Sequence, residues 1–122
     1  MTMARQELGK AGENTAAGEL ERRGYAVIER RYRTRHGEID IVAEDGETLV
    51  FVEVKVRAGA ERGTAAEAVT PRKQRKIAAM AQEYLSRHQL TGRRFRFDVV
   101  AIDGLGEAQR VVLYRGAFDA SR

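Results

Sequence analysis

The stretch GEIDIVAEDGETLVFVEVKV, Gly37 to Val56, reads as a β-hairpin and decides the fold. Two β-rich segments, Glu38 to Glu44 and Glu47 to Val54, flank Asp45-Gly46, a pair favoured in two-residue hairpin loops. With Asp45 and Gly46 as the loop, Glu44 lies opposite Glu47, Val42 opposite Leu49, Asp40 opposite Phe51 and Glu38 opposite Glu53. Alternation then puts Ile39, Ile41, Ala43, Val50, Val52 and Val54 on one wholly apolar face, which must be buried. The other face is apolar near the turn, with Val42, Leu49 and Phe51, and changes to Glu38, Asp40, Glu53 and Lys55 at the far end. In this register Asp40 and Glu53 are diagonal neighbours with Cβ atoms ~7 Å apart.

The flanking sequence supplies the remaining elements. A helix is expected from about Arg5 to Arg23, with Ala16, Ala17 and Leu20 as its apolar stripe and Gly24 as a left-handed stop. Tyr25 to Tyr32 reads as a strand. Thr70 is placed to cap a second helix whose first residue is Pro71, the single proline of the chain. Ile77, Met80, Ala81, Tyr84 and Leu85 form that helix's apolar face. Strands from Phe95 to Ile102 and Arg110 to Tyr114 follow. A strand, a helix and a further strand in one sheet require a right-handed crossover, so the Val50 and Val99 strands are expected to be parallel. The class is α/β, a mixed sheet flanked by helices, in a single domain over residues 1–122.

Composition narrows the functions. The 122 residues contain no cysteine and only two histidines, so disulfides, thiolate chemistry and cysteine-ligated zinc are excluded. No apolar run approaches the length of a membrane span, and the N-terminus lacks the pattern of a signal peptide; a cytoplasmic protein is expected. Of 22 basic residues 18 are arginine, against 18 acidic residues. The charge is segregated. Thr70 to Arg96 holds eight basic residues and only Glu83, while Arg22 to Arg35 holds six and only Glu29. Such stretches suit a polyanion, or else are solvated faces.

Two carboxylates held as close as Asp40 and Glu53 repel each other unless a cation or proton lies between them. Hard oxygen ligands point to Mg²⁺, for which Mn²⁺ can substitute, with the Val54 backbone carbonyl as a third ligand. Lys55 would then lie beside the water or phosphate at that site. An Asp/Glu/Lys ion-pair patch is the alternative. Glu13 follows the stripe of Ala16, Ala17 and Leu20, so this acid faces the sheet and needs a partner. It either meets an arginine such as Arg33 or Arg35, or joins Asp40 and Glu53. Arg72, Lys73, Gln74, Arg75 and Lys76 cluster at a helix start suited to phosphate. Arg57 and Arg62, in the weakly patterned segment after Lys55, are further candidate phosphate contacts. Asp98 is expected to be a structural partner of an arginine.

Gly37-Glu-Ile-Asp40 followed by Glu53-Val-Lys55, in an αβββαβ order with Glu13 on the first helix, resembles the PD-(D/E)xK nuclease superfamily. The chain from Gly12 to Ile102 is most similar to the YraN family of bacterial endonucleases, related to archaeal Holliday junction resolvases. The resemblance implies a restriction-endonuclease-like core, Asp40 and Glu53 as metal ligands, Lys55 as catalytic lysine and Glu13 as a helix-borne acid. It further implies hydrolysis of nucleic acid, DNA in preference to RNA, with branched or distorted structure, and a homodimer by analogy with resolvases. Ile39 stands where the superfamily's name has proline. A nucleic-acid-binding module that keeps the fold without turnover is the competing expectation.

Overall fold

The computed structural model of the chain describes residues 2–57, 69–104 and 106–119. Its element order is α1 (Thr2–Arg22), β1 (Ala26–Thr34), β2 (Gly37–Asp45), β3 (Thr48–Arg57), α2 (Pro71–Arg87), β4 (Phe95–Asp103), a 3₁₀ turn (Gly106–Ala108) and β5 (Arg110–Tyr114). The strands form one sheet in the order β1-β2-β3-β4-β5, antiparallel except for the β3–β4 pair. This is the expected mixed α/β architecture, consistent with a restriction-endonuclease-like core. The crossover through α2 makes the inner pair parallel, as a strand-helix-strand connection requires.

The sheet divides two cores. Ala16, Ala17 and Leu20 of α1 cover Ile41, Ala43, Val50, Val52, Val100 and Ile102 on one face. Ile77, Met80, Ala81, Tyr84 and Leu85 of α2 cover Val42, Leu49, Phe51, Phe97 and Val99 on the other. Local chemistry fixes both helix boundaries. Gly24 takes φ +91°, Tyr25 N–H donates to the Leu20 carbonyl and Gly24 N–H to that of Glu21, a Schellman stop that turns the chain into β1. At α2 the Thr70 hydroxyl accepts from Lys73 N–H at 3.2 Å, and Pro71 occupies the first turn, where no N–H is needed.

The hairpin register departs from expectation. Asp45 pairs with Thr48 and Ile41 with Val52, so the two-residue loop is Gly46-Glu47 rather than Asp45-Gly46. Gly46 has φ +61° in the first loop position, the requirement of a II′ turn. Moving both pairing partners together leaves the faces unchanged, but the register now runs toward Asp40 directly across from Glu53 instead of diagonal to it. Ile39 also departs, packing in the α2 core with its β1 partner Tyr32. Between Arg30 and Tyr32 the chain takes a left-handed step at Arg31, φ +54°, which interrupts the alternation of β1.

Buried charge on the α1 face of the sheet is paired, at Asp98, the register partner of Val52. Asp98 on β4, with no exposed surface, accepts from Tyr25 Oη at 2.9 Å, Arg96 Nε at 2.8 Å and Gly116 N at 2.9 Å. Asp98 is thus the arginine-bound structural residue the sequence predicts. Arg96 also reaches Asp45, and Arg93 pairs with Glu44, so these two arginines tie β4 to the hairpin end.

Candidate metal and phosphate site

The candidate site lies where β2 and β3 part. Their ladder ends at Ile41–Val52, and the Val54 N–H beyond it is taken by Asp40 Oδ2 at 2.8 Å. Asp40 is therefore held in the gap between two strands, half-buried, while Glu53 on β3 is 9% exposed. Burial, reinforced by the charge of Glu53, pushes the Asp40 carboxyl up to about 8, even though the Val54 N–H favours its ionised form. The two carboxyls line a cavity of about 130 Å³ with Lys73, Lys76, Gly37 and Met80. Lys73, in the first turn of α2, is ion-paired to Glu53. Partial burial works against its charge, but the hydrogen bond and attraction of Glu53 outweigh that and hold its pKa above the ordinary lysine value.

Two adjacent carboxylates, one resisting ionisation, fit the requirement of a small divalent cation, which relieves their repulsion more fully than one ammonium does. Asp40 and Glu53 are the residues that could hold it. Glu13 does not join them. Its carboxylate is 2.7 Å from Arg31 Nε and 3.9 Å from Arg30 Nη2, so an arginine meets it, though not Arg33 or Arg35. The left-handed Arg31 explains this, because two consecutive arginines reach the same acid. Among the described residues no three His, Asp or Glu side chains converge on one point.

Lys55 is half-buried two residues beyond Glu53, and among the described residues it has no ion-pair or hydrogen-bond partner. Arg57 differs from the expectation of a phosphate contact. Its side chain is 7% exposed and forms a two-pronged contact with Asp103, at 2.7 and 3.1 Å, that ties the ends of β3 and β4. Arg57 and Asp103 are register partners on parallel strands, so pairing the two is a local consequence of the sheet. Gln74 is likewise engaged, its amide donating to the Val69 carbonyl at 2.9 Å. Arg72, Arg75 and Lys76 are exposed. Arg62 lies outside the described residues.

Sequence reasoning placed Lys73 on the phosphate surface and missed its contact with Glu53. The Thr70-Pro71 cap carried the signal, since it fixes Lys73 one turn into α2, beside the carboxyl end of β3. Fold and site together define an α/β protein with a paired-carboxylate cavity at the opening of a hairpin. Residues 12–102 match the model of the uncharacterised protein family UPF0102, and the chain belongs to that family. It is 48% identical to a UPF0102 protein of Desulforapulum autotrophicum over 97% of this chain and 98% of that one. A UPF0102 protein of Geobacter sulfurreducens is 49% identical over 92% and 88% of the two chains, and one of Myxococcus xanthus 44% over 95% and 92%. Among the described residues no helix is long and apolar enough to cross a membrane.

Proposed function

We propose that this protein is a divalent-metal-dependent endonuclease of the PD-(D/E)xK type, as the resemblance to the YraN family implies, acting on DNA of branched or distorted structure. The observation that carries the proposal is the Asp40–Glu53 pair in a cavity bordered by Lys73 and Lys76, with Lys55, unpartnered among the described residues, on the same strand as Glu53. Paired acids next to lysines suit a phosphate held beside a cation. Asp40 and Glu53 would hold Mg²⁺ or Mn²⁺, which supplies positive charge to the phosphate oxygens and acidifies a water. The Val54 N–H fixes the Asp40 carboxylate so that little reorganisation accompanies binding. Lys55 stabilises the negative charge that grows on the phosphate as water attacks phosphorus and the bond to the leaving oxygen breaks.

One observation favours a second reading. Lys73 already supplies Glu53 with a cation, which suits a module that binds nucleic acid without turnover. Incubating the protein with duplex, single-stranded, flap and four-way-junction DNA in Mn²⁺ separates the two. Cleavage of the branched substrates is expected. Binding without cleavage across a broad pH range would leave only the second reading.

A further inference from the structure

Two basic segments that are distant in sequence meet on one surface. The turn between β1 and β2 carries Arg35 and His36, and it lies against the exposed side of α2, where Arg35 Nε is 3.8 Å from the Glu83 carboxylate. An open cavity of about 420 Å³ lies between Arg35, His36, Gln82, Glu83, Ser86 and Arg87. A second, of about 370 Å³, lies between Arg33, Thr34, Arg35, Glu83 and Arg87. Both adjoin the turn that leads into the carboxylate cavity. Gly37, at φ +136°, sits so close to Lys76 that an added Cβ would be 3.4 Å from its Cε, and Gly37 and Lys76 both line that cavity.

We propose that this surface is a track for the phosphate backbone of the nucleic acid, running from Lys76 past Arg35 to Arg87 and delivering the strand to Asp40 and Glu53. The inference rests on the endonuclease reading and adds the path of the substrate. Its cations are held loosely. Arg35 and Arg33 have side chains 84% and 85% exposed, Arg33 with an exposed 3.2 Å ion pair to Glu38, and Arg87 makes a 3.3 Å contact with the Tyr32 hydroxyl. In contrast, Arg93 and Arg96 of the same basic stretch are bound to Glu44, Asp45 and Asp98. Lys76 and Arg87 are eleven residues apart on α2, about 16 Å along a helix, which matches the rise of about five nucleotides of a B-form strand. A run of that length exceeds a single small anion. No base-reading element accompanies it, so binding along the track is independent of sequence. Glu83 is the one carboxylate lining either cavity, and it competes with phosphate for Arg35.

Anisotropy of a fluorescent 20-base-pair duplex over a NaCl series, in EDTA so that no turnover intervenes, tests the track. Arg35→Glu with Arg87→Glu is expected to weaken binding ~10-fold or more and to lower the salt slope by about two. Glu83→Gln is expected to tighten binding ~2- to 5-fold, a gain that misfolding cannot produce. Arg110→Glu, on β5 at the opposite edge of the sheet, should bind like the parent. Parental affinity in both the double variant and Glu83→Gln overturns the track while leaving the endonuclease reading intact. A parent chain that binds neither this duplex nor a four-way junction in the same assay overturns both.

Discussion

Lys73 in the first turn of α2 is ion-paired to Glu53 of β3, so a helix start supplies a cation to a carboxylate pair that the sheet alone leaves unbalanced. A metal ion held by the proposed site would compete with Lys73 for the Glu53 carboxylate. Lys73→Ala is expected to lower stability in EDTA by ~1 kcal/mol, a modest loss because the lysine is half-exposed. The same variant should bind Mn²⁺ more tightly, as a larger rise in melting temperature at equal Mn²⁺. Weaker Mn²⁺ binding in this variant would mean that Lys73 supports the site instead of competing for it.

Asp40 contributes a pH dependence to the stability of the metal-free protein. Its folded-state pKa of about 8 lies above the ordinary 3.8, so the folded chain keeps a proton that the unfolded chain releases between those values. Stability contributed at this position therefore falls as pH rises from about 4 toward 8. Asp40→Asn cannot ionise, and its amide can still accept from Val54 N–H while donating to Glu53. Denaturant unfolding in EDTA should find the variant similar to the parent near pH 4. Near pH 8 it should be more stable, by on the order of 1–3 kcal/mol. Mn²⁺ should stabilise it less than it does the parent.

Under the proposed function, a Lys55 variant separates chemistry from binding. The Lys55 side chain has no ion-pair partner among the described residues, so truncation should neither unfold the chain nor disturb Asp40 and Glu53. Lys55→Ala is expected to keep its Mn²⁺-induced rise in melting temperature and its DNA affinity. Single-turnover cleavage should fall by roughly 10²-fold or more. Unchanged cleavage would assign the charge-stabilising role to another residue.

Tyr25 tests the face of the sheet opposite the carboxylate pair. Its hydroxyl donates to Asp98 and accepts from Arg96 Nη2 at 2.8 Å, inside a network that joins the residue before β1, β4 and the segment after β5. Tyr25→Phe leaves a buried carboxylate one donor short and should cost about 1–3 kcal/mol in denaturant unfolding. Mn²⁺ binding and DNA affinity should remain parental, because the affected residues are bound to one another and not to the site.

Much of this protein is legible from sequence because the deciding interactions are local. Gly24, the Thr70-Pro71 cap and the apolar spacing from Ile77 to Leu85 act within a turn or two of helix, and strand alternation assigns Asp40 and Glu53 to one side of the hairpin. The tertiary structure decided what depends on long-range packing. Asp45-Gly46 permits two hairpin registers with identical faces, and the Gly46-Glu47 loop selects the one whose ladder ends at Ile41–Val52, the pair next to Asp40 and Glu53. Glu13 faces inward by its helical spacing, yet whether it meets a metal or an arginine depends on the left-handed conformation of Arg31, which no propensity favours. Arg57 and Lys73 look alike in sequence as basic residues near the carboxylate-bearing strand. Parallel pairing buries Arg57 against Asp103, and the crossover carries Lys73 back to Glu53, since only the closed sheet determines which charges share a neighbourhood.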